Sequence, residues 1–520
     1  MHRYHPVRKQ AGKMVMQILS FGKHMRTAGI VFVQTALLLA LPSAHAQQAA
    51  SIPHSNASVF DSEIYGDLFT TPEMQAVFSD AHLISYWLRF EVELAAAQAT
   101  LGMIPVEAAQ AIARAAQPDN INIAKLRAGT NKVGRAIEPL LVQITAAGDQ
   151  SVKQFLHWGG TTQDVMDTAT VLQIRDGLAI IRRDLRKLVL VLADKATQYR
   201  DTPIVARSNG QDAIPTTFGM LLASYMVELR RHMDRLDAAT ERVLVGQYGS
   251  AVGTLSSAGA DGLKVRATLM QNLGLHEPDL SWNASRDNYA EVIQTLALVH
   301  GTMNRIAIDI NLWSRTADNA VNEGEGGVSS TMPQKRNPRA SEFMGGIAYL
   351  AKMRAAGALS MLDQSETRQG APWISEWSTI PEMFMLTAAT LDRANALFAN
   401  LIIRPEIMLE RFNDSEGFVM AEAIMMNIAP KIGREPAYDL IKEAIKGAPP
   451  GTPFKEVIQK SPRLLELVGA ANIDRVLDPR NYLGAAPAMV DAAIAKHEVG
   501  SSSHDNGLTD ETRTRPIEAS

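Results

Sequence analysis

The stretch Thr216–Val243 reads TTFGMLLASYMVELRRHMDRLDAATERV and predicts one long helix. Its apolar side chains recur three, four or seven residues apart: Leu222, Met226, Leu229, Met233, Leu236 and Val243. This heptad spacing is typical of a helix that packs an apolar seam against neighbouring helices. The stretch therefore indicates a helical bundle.

Two other segments show the same helical period. Between Ser79 and Gly102 the apolar residues alternate in steps of four and three: Leu83, Trp87, Phe90, Leu94, Ala97 and Leu101. A second stripe follows Arg286: Leu296, Val299, Met303, Ile306, Ile310 and Trp313. No repeated strand pattern and no GxGxxG-type fingerprint competes with these stripes. We therefore predict an all-α fold with a long central helical bundle.

The composition excludes several classes of protein. The chain of 520 residues has a formal net charge of −4 and no strongly basic tract, so we expect no nucleic-acid partner. It contains no cysteine, which excludes disulfides and cysteine-ligated metals and suits folding in an oxidising compartment. At this length it can bury a large core and form more than one domain.

The first residues, 1–46, have the pattern of a secretory signal peptide. Basic residues up to Arg26 precede the apolar run Ile30–Leu41, and Ala44-His45-Ala46 forms an A-x-A cleavage site. A membrane anchor is the alternative, but the run is too short to span a bilayer comfortably. We therefore predict export to a bacterial periplasm without a stable membrane anchor. Met25 is an alternative start of translation.

The segment Gly324–Pro338 reads GEGGVSSTMPQKRNP and joins a glycine-rich start to a cationic end. Its glycines allow the loop to open and close over a ligand, and its two prolines restrict the residues that must arrive in place. Backbone N–H groups and the ammonium of Lys335 would stabilise a serine alkoxide as a base, and Lys335 and Asn337 would grip a carboxylate. We interpret the segment as a catalytic lid. A solvated surface loop is the alternative.

A second polar segment, His157–Thr168, reads HWGGTTQDVMDT. Its small residues let the backbone approach a ligand, and the hydroxyls of Thr161 and Thr162 can bond a carboxylate without adding charge. His157 titrates near neutral pH and can deliver a proton. Taken alone, however, a histidine beside a tryptophan is more often a packed structural residue.

These two segments carry a family resemblance. The run Ser329–Pro338 resembles the signature GSSxMPxKxNP of the fumarase/aspartase superfamily, and its wording STMPxKRNP is closest to the 3-carboxy-cis,cis-muconate cycloisomerase and adenylosuccinate lyase branch. The segment His157–Thr168 resembles the HxGATSQDVxDT motif of the same two families. Val328 stands where the signature has glycine, so Ser330 remains an alternative to Ser329 as the base. The resemblance covers approximately residues 58–497.

The segment Arg207–Gly219 resembles the family's GRTHxQxAxPxTFG run, with one important change. Asn209 occupies the position of a histidine that takes part in proton transfer in many relatives. An amide cannot exchange a proton at ordinary pH, so we assign the acid to His157. The resemblance implies that Ser208, Asn209 and Gln211 bind substrate.

Two arginines also fall in segments that resemble the family. Ser285-Arg286-Asp287 resembles its SRD element. Arg368, followed by Trp373, Glu376 and Trp377, resembles the ERxxGxWxxEW run of the muconate cycloisomerases. Arginine forks suit a substrate with several carboxylates, so Arg286 and Arg368 are candidate substrate-binding residues. Bracing of a helix end is the alternative for each.

The resemblance implies a three-domain organisation. We expect an N-terminal helical domain at 57–155, a central helical-bundle domain at 156–404 and a small C-terminal helical domain at 405–498. The tail at 499–520 is polar and lacks apolar periodicity, so we expect it to be disordered. Family members form homotetramers whose active sites combine segments from different subunits, and we expect the same assembly here.

The chemistry implied is removal of a proton next to a carboxylate and loss of a group from the next carbon, or the reverse addition. Charge accumulates on that carboxylate, so cationic and N–H donors must already point at it. The roles are Ser329 as base, Lys335 and Asn337 as charge stabilisers, Thr161, Thr162, Ser208 and Gln211 as carboxylate ligands, and His157 as acid. No metal or organic cofactor is implied.

Three functions follow from the resemblance. The leading expectation is a 3-carboxymuconate cycloisomerase-like enzyme acting on a succinyl-type polycarboxylate. One alternative is a C–N or C–O lyase of the adenylosuccinate or argininosuccinate lyase type that releases fumarate. Adenylosuccinate lyase itself is disfavoured, because its nucleotide substrate belongs in the cytoplasm. The other alternative is an inactive dicarboxylate-binding or structural relative, which Asn209 and Val328 favour and the intact signature and His157 oppose.

Overall fold

The described part of the chain comprises residues 57–324 and 326–504 of a computed structural model, with side chains up to Lys496. Seven helices come first: α1 (Gly66–Phe69), α2 (Pro72–Val77), α3 (Asp80–Thr100), α4 (Val106–Ala115), α5 (Ile123–Val133), α6 (Ile137–Ala147) and α7 (Gln150–Phe155). The stripe predicted between Ser79 and Gly102 forms α3. Its N-cap is Ser79, whose hydroxyl accepts a hydrogen bond from the His82 N–H.

Five long helices then form a bundle, and a shorter one, α10, lies between the second and third. The six are α8 (Thr162–Gln198), α9 (Phe218–Val243), α10 (Gly262–Leu273), α11 (Asp287–Trp313), α12 (Arg339–Ala358) and α13 (Gly370–Asn400). Helix α9 packs between α8 and α11, while α13 contacts α8, α11 and α12. The predicted long central bundle is therefore confirmed.

The heptad seam of α9 explains why this helix lies inside the bundle. Leu222, Leu229, Leu236 and Val243 are completely buried, and Met233 is half-buried at the edge of the same core. Full burial of an aliphatic side chain of this size contributes roughly 1.5–3 kcal/mol. The Thr217 hydroxyl accepts a hydrogen bond from the Met220 N–H and so begins the helix.

The described chain has few strands, and the all-α class is confirmed. Strands β1 (Pro203–Ser208) and β2 (Gln211–Thr217) pair antiparallel immediately before α9. A second pair, β3 (Val321–Asn322) and β4 (Ile402–Ile403), is only two residues long. The β1–β2 hairpin was not predicted, although the dipeptide Asn209-Gly210 is a strong signal for a two-residue hairpin turn.

The C-terminal segment has its own apolar core. Its helices are α14 (Pro405–Glu410), α15 (Ala421–Ile432), α16 (Arg434–Gly447), α17 (Phe454–Lys460), α18 (Pro462–Val468), α19 (Ile473–Leu477) and α20 (Ala486–His504). Ile424, Ile428 and Phe454 are completely buried in this core, which Val205 of β1 joins. The boundaries of the three domains remain predictions. Helix α20 continues to His504, past the predicted start of the disordered tail at residue 499.

The predicted signal peptide at 1–46 lies outside the described residues, as do residues 505–520 of the tail. Within residues 57–324 and 326–504, no helix combines the length and apolarity needed to cross a membrane.

Candidate active site

The loop that carries Ser329 is closed at its base by Gly327 and Asn337. Both the backbone N–H and the side-chain amide of Asn337 donate to the Gly327 carbonyl, at 2.8 and 2.9 Å. Val328 pairs with Arg336 as an antiparallel bridge above this closure. Gly327 has a φ of +65°, and an added Cβ would lie 1.9 Å from the Asn337 carbonyl oxygen. Only glycine fits at this position. The Asn337 side-chain amide, which we predicted would stabilise charge on the substrate, bonds the loop backbone in this structure.

Ser329 has the surroundings expected of an activated hydroxyl. Its Oγ accepts hydrogen bonds from the backbone N–H groups of Met332 and Thr331, at 3.0 and 3.3 Å. Such donors stabilise negative charge on the oxygen. Ser330 is more exposed, and none of the described hydrogen bonds involves its hydroxyl. The geometry therefore favours Ser329 over Ser330 as the base.

Ser329 opens onto a surface cavity of about 660 Å³. Lys335 lines the same cavity and is exposed, so its ammonium can reach a bound anion. Glu342, which sequence analysis missed, also lines it and pairs with Arg339 at 2.5 Å. The complete lining comes from residues 311–342. The chain thus brings Ser329 and Lys335 together, while the other predicted site residues, apart from Asn337, lie elsewhere.

His157 lies just before α8 and contacts a buried carboxylate. Its Nδ1 is 2.7 Å from Oε1 of Glu91, whose side chain is completely buried on α3. Burial by itself would lower the pKa of His157, but the charge and the hydrogen bond of Glu91 raise it above its usual value. A proton on Nδ1 donates to Glu91 and leaves Nε2 for exchange with a substrate.

Sequence analysis missed Glu91, although a signal for it was present. It lies four residues after Trp87 and three before Leu94, so it belongs to the buried face of α3. Acidic residues are seldom fully buried unless they are paired. A glutamate within an apolar stripe therefore indicates a partner, and the partner is His157.

The start of α8 is held by Asp164. This carboxylate accepts hydrogen bonds from the backbone N–H groups of Thr161, Gly249 and Ser250, at 3.0–3.1 Å. Burial raises the pKa of Asp164 to about 7 against the lowering effect of these three donors. Thr161 and Thr162, at the first turn of α8, are half-buried. The predicted carboxylate ligands thus lie on the same turn-and-helix unit as His157.

Ser208, Asn209 and Gln211 lie at the exposed tip of the β1–β2 hairpin. Asn209 and Gly210 have φ values of +53° and +76°, which a two-residue hairpin turn requires. Asparagine tolerates this conformation better than most residues, so Asn209 has a conformational reason to be there. Below the tip, Arg207 bonds Asp212 at 2.9 Å and Asp318 at 2.6 Å.

Arg286 is the predicted substrate ligand whose position does not suit that role. Its side chain is completely buried, and its two Nη atoms bond Asp167 at 2.8 and 2.9 Å. Nε donates to Glu376 at 2.7 Å, and Nη2 donates to the same carboxylate. With its guanidinium shared between two carboxylates, Arg286 braces α8, α11 and α13. This geometry favours the bracing alternative over its predicted role as a substrate ligand.

Arg368 lies immediately before α13 and is half-buried. Its Nη2 donates to the Ala251 carbonyl at 2.6 Å, next to Ser250 and therefore close to the Asp164 anchor. No described carboxylate forms an ion pair with it. Arg368 is thus free to meet a substrate anion on the His157 side of the molecule.

Apart from the two arginines, the predicted residues form three groups, defined by their positions in one chain. The histidine group comprises His157, Thr161 and Thr162; the hairpin group comprises Ser208, Asn209 and Gln211; the loop group comprises Ser329, Lys335 and Asn337. None of the histidine or hairpin residues lines the cavity of the loop group. The groups offer a base, a proton donor and anion ligands, which proton abstraction next to a carboxylate needs.

Comparison with known proteins supports an enzymatic role. A family described as "Lyase" matches residues 68–351, and one described as "Adenylosuccinate lyase C-terminus" matches residues 417–493.

Proteins that are similar to this chain over most of its length are named for different activities. A 3-carboxy-cis,cis-muconate cycloisomerase of Pseudomonas aeruginosa is 35% identical over 446 residues, 84% of this chain and 96% of that protein. Trans-aconitate decarboxylase 1 of Mycosarcoma maydis is 33% identical over 83% of this chain and 88% of its own length. The crystal structure of a fumarate lyase from Mesorhizobium sp. BNC1 is similar with a TM-score of 0.78 at 38% identity, covering 82% of this chain and 98% of that one.

Proposed function

The chain belongs to the fumarase/aspartase superfamily, and from that membership we propose that it abstracts a proton next to a substrate carboxylate and eliminates a group from the neighbouring carbon, or catalyses the reverse addition. Its family and relatives make it an enzyme of the lyase or cycloisomerase type.

One observation carries the proposal: the Ser329 oxygen accepts hydrogen bonds from two backbone N–H groups of its own loop. A serine is a strong enough base only if its alkoxide is stabilised, and these donors supply that stabilisation without reorganisation. Lys335, on the same cavity, adds a positive charge near the carboxylate on which charge develops. Ser329 thus removes the proton, and Lys335 stabilises the negative charge that this creates on the substrate.

His157 is the proposed acid toward the leaving group. Glu91 keeps the imidazole protonated to higher pH than a free histidine and orients it through Nδ1. The hydroxyls of Thr161 and Thr162 lie on the same unit and bond a substrate carboxylate, as do Ser208 and Gln211 of the hairpin. Asn209 orients the substrate by its amide without transferring a proton.

The substrate class is a succinyl-type polycarboxylate. The leading candidate is a 3-carboxymuconate-like compound, because the cycloisomerase of Pseudomonas aeruginosa is 35% identical across 84% of this chain. The second candidate is a fumarate-releasing C–N or C–O lyase reaction, favoured by the similarity to a crystal structure named fumarate lyase.

We propose that the chain assembles as a homotetramer, in which neighbouring copies supply the remaining parts of each active site. Within one chain, the histidine and hairpin groups do not line the cavity of the loop group, so we propose that a shared site takes segments from other copies. The bundle exposes large apolar side chains that a partner would cover: Leu298 and Ile308 on α11, and Tyr349 and Met353 on α12, each about half or more exposed. Patches of this kind mark protein interfaces.

Export is proposed on the N-terminal sequence alone. If residues 1–46 are a signal peptide, cell fractionation will find a chain that begins at Gln47 in the periplasm. Recovery of the full-length chain from the cytoplasm would contradict export and would restore adenylosuccinate lyase as a candidate.

The reaction is tested with the chain from Gln47 onward by following ultraviolet absorbance with 3-carboxymuconate and fumarate-releasing substrates. We expect Ser329→Ala to lower kcat by about 10²–10⁴-fold, the usual contribution of a general base. Ser330→Ala is the matched control and is expected to keep most of the activity. Equal activity of Ser329→Ala and the native chain would exclude Ser329 as base, and binding of polycarboxylates without turnover would support the inactive relative.

A further inference from the structure

A second cavity, of about 320 Å³, lies between α3, α5, α8 and α13. Its walls are mainly apolar and include Leu83 and Trp87 on α3, Met166 on α8 and Ile380 on α13. It shares no lining residue with the cavity of Ser329. A cavity of about 150 Å³ with apolar walls is large enough for benzene, so this one has room for a ring with a polar substituent.

One cation lines this cavity, and it is held by aromatic rings. The Arg135 guanidinium lies 4.8 Å from the ring centroid of Trp373 and 4.9 Å from that of Trp377. Its Nη1 donates to the adjacent Gly134 carbonyl at 2.6 Å. The guanidinium lies over the ring faces of both indoles, which hold it in position, and its remaining N–H donors are available to a ligand.

Arg135 lacks a carboxylate partner within the described residues. Two carboxylates line the cavity, but Asp80 is exposed to solvent and Glu376 is bonded to Arg286. Burial and the nearby positive charge of Arg368 both hold the pKa of Arg135 below its usual value. Two neighbouring cations without a counter-charge are an unfavourable arrangement that an anion would relieve.

We propose that this cavity binds a small apolar carboxylate, with its carboxylate on the edge of the Arg135 guanidinium and its apolar body between Leu83, Met166 and Ile380. The guanidinium fork matches a carboxylate through two parallel hydrogen bonds. The apolar walls favour an aromatic ring or a short alkyl chain over a strongly hydrated inorganic anion. The proposal does not depend on the reaction assigned to Ser329.

Titration calorimetry of the whole chain with benzoate tests the site, with benzamide as the neutral ligand of the same shape. We expect saturable binding of benzoate, much weaker binding of benzamide, and a loss of at least tenfold in benzoate affinity in Arg135→Gln. Lys132→Gln is the matched control, because it removes a nearby positive charge on α5 that does not line the cavity. It should bind benzoate within twofold of the native chain.

Two further variants keep the test decisive. Leu83→Trp fills the cavity while Arg135 stays in place, so it should also abolish binding even if Arg135→Gln fails to fold. Lys335→Ala should bind benzoate normally, which separates this cavity from the one at Ser329. The proposal is overturned if benzoate does not bind the native chain, if Arg135→Gln and Leu83→Trp bind it normally, or if only Lys335→Ala loses it.

Discussion

The protonation of His157 depends mainly on the buried carboxylate of Glu91, with a smaller contribution from the charge of Asp164. Glu91 is completely enclosed, so its charge acts on His157 through a medium that screens poorly. The pKa of His157 is therefore raised although burial alone would lower it. The proposed acid thus relies on a residue of α3, outside every segment that resembles a catalytic motif.

Replacing Glu91 with glutamine should lower the fraction of His157 that is protonated at neutral pH. Without the charge of Glu91, only the smaller effect of Asp164 opposes burial, so the pKa of His157 falls and the alkaline limb of kcat/KM moves to lower pH. The charge of Glu91 also affects how the free energy of unfolding depends on pH. Because the folded pKa is raised, His157 stabilises the fold below its unfolded pKa of about 6.5, and this contribution is lost as pH rises through the folded pKa.

The measurement is a pH–rate profile together with urea unfolding across the same pH range. Glu93→Gln is the matched control, because Glu93 is on the same helix and has no described contact with His157. A profile that is unchanged in Glu91→Gln, or shifted equally in both variants, would contradict the role of Glu91.

At the scale of the element, the Ser329 loop depends on one glycine. Gly327 has a positive φ and contacts the Asn337 backbone so closely that no Cβ fits. Val328, which replaces the family's glycine, is exposed and forms the bridge to Arg336 instead. The loop therefore accommodates valine at position 328, where the family signature has glycine. The position that requires glycine is 327, one residue earlier.

Gly327→Ala should inactivate the enzyme without unfolding it. The added methyl group displaces Asn337 and with it the N–H groups around Ser329, and a misplacement of about 1 Å costs roughly 10²-fold in rate. The loop lies at the surface, so the melting temperature should change little. Gly346→Ala on α12, where nothing lies within 4 Å of the new methyl group, is the control for both kcat and melting temperature. Full activity of Gly327→Ala would show that the closure is dispensable.

At the scale of the whole molecule, the separation of the three groups predicts complementation between inactive variants. Chains carrying Ser329→Ala and chains carrying His157→Ala are each expected to be inactive. Refolded together in equal amounts, they should recover about one quarter of native activity. Each site needs an intact Ser329 from one chain and an intact His157 from another, and each of these is present with a probability of one half. Activity assays on the mixture, with light scattering for the mass, check this. A fully active monomer would contradict shared sites.

The sequence anticipated the fold better than the roles of individual side chains. The stripes of α3, α9 and α11 followed from periodicity, since each stripe is local to its helix. The β1–β2 hairpin did not follow from periodicity, because its signal is the turn chemistry of Asn209-Gly210 and not an apolar stripe. Ser329 and Lys335 line one cavity, because both belong to one short loop.

By itself, the sequence determined the long helices, the bundle and the residues of the loop, because these depend on neighbours close along the chain. Only the tertiary structure decided that Arg286 braces three helices, that Glu91 accompanies His157 and that Arg135 lies over the rings of Trp373 and Trp377. Each of these contacts joins residues 66 to more than 200 positions apart, so the role of each charged group depends on which distant helix packs against it.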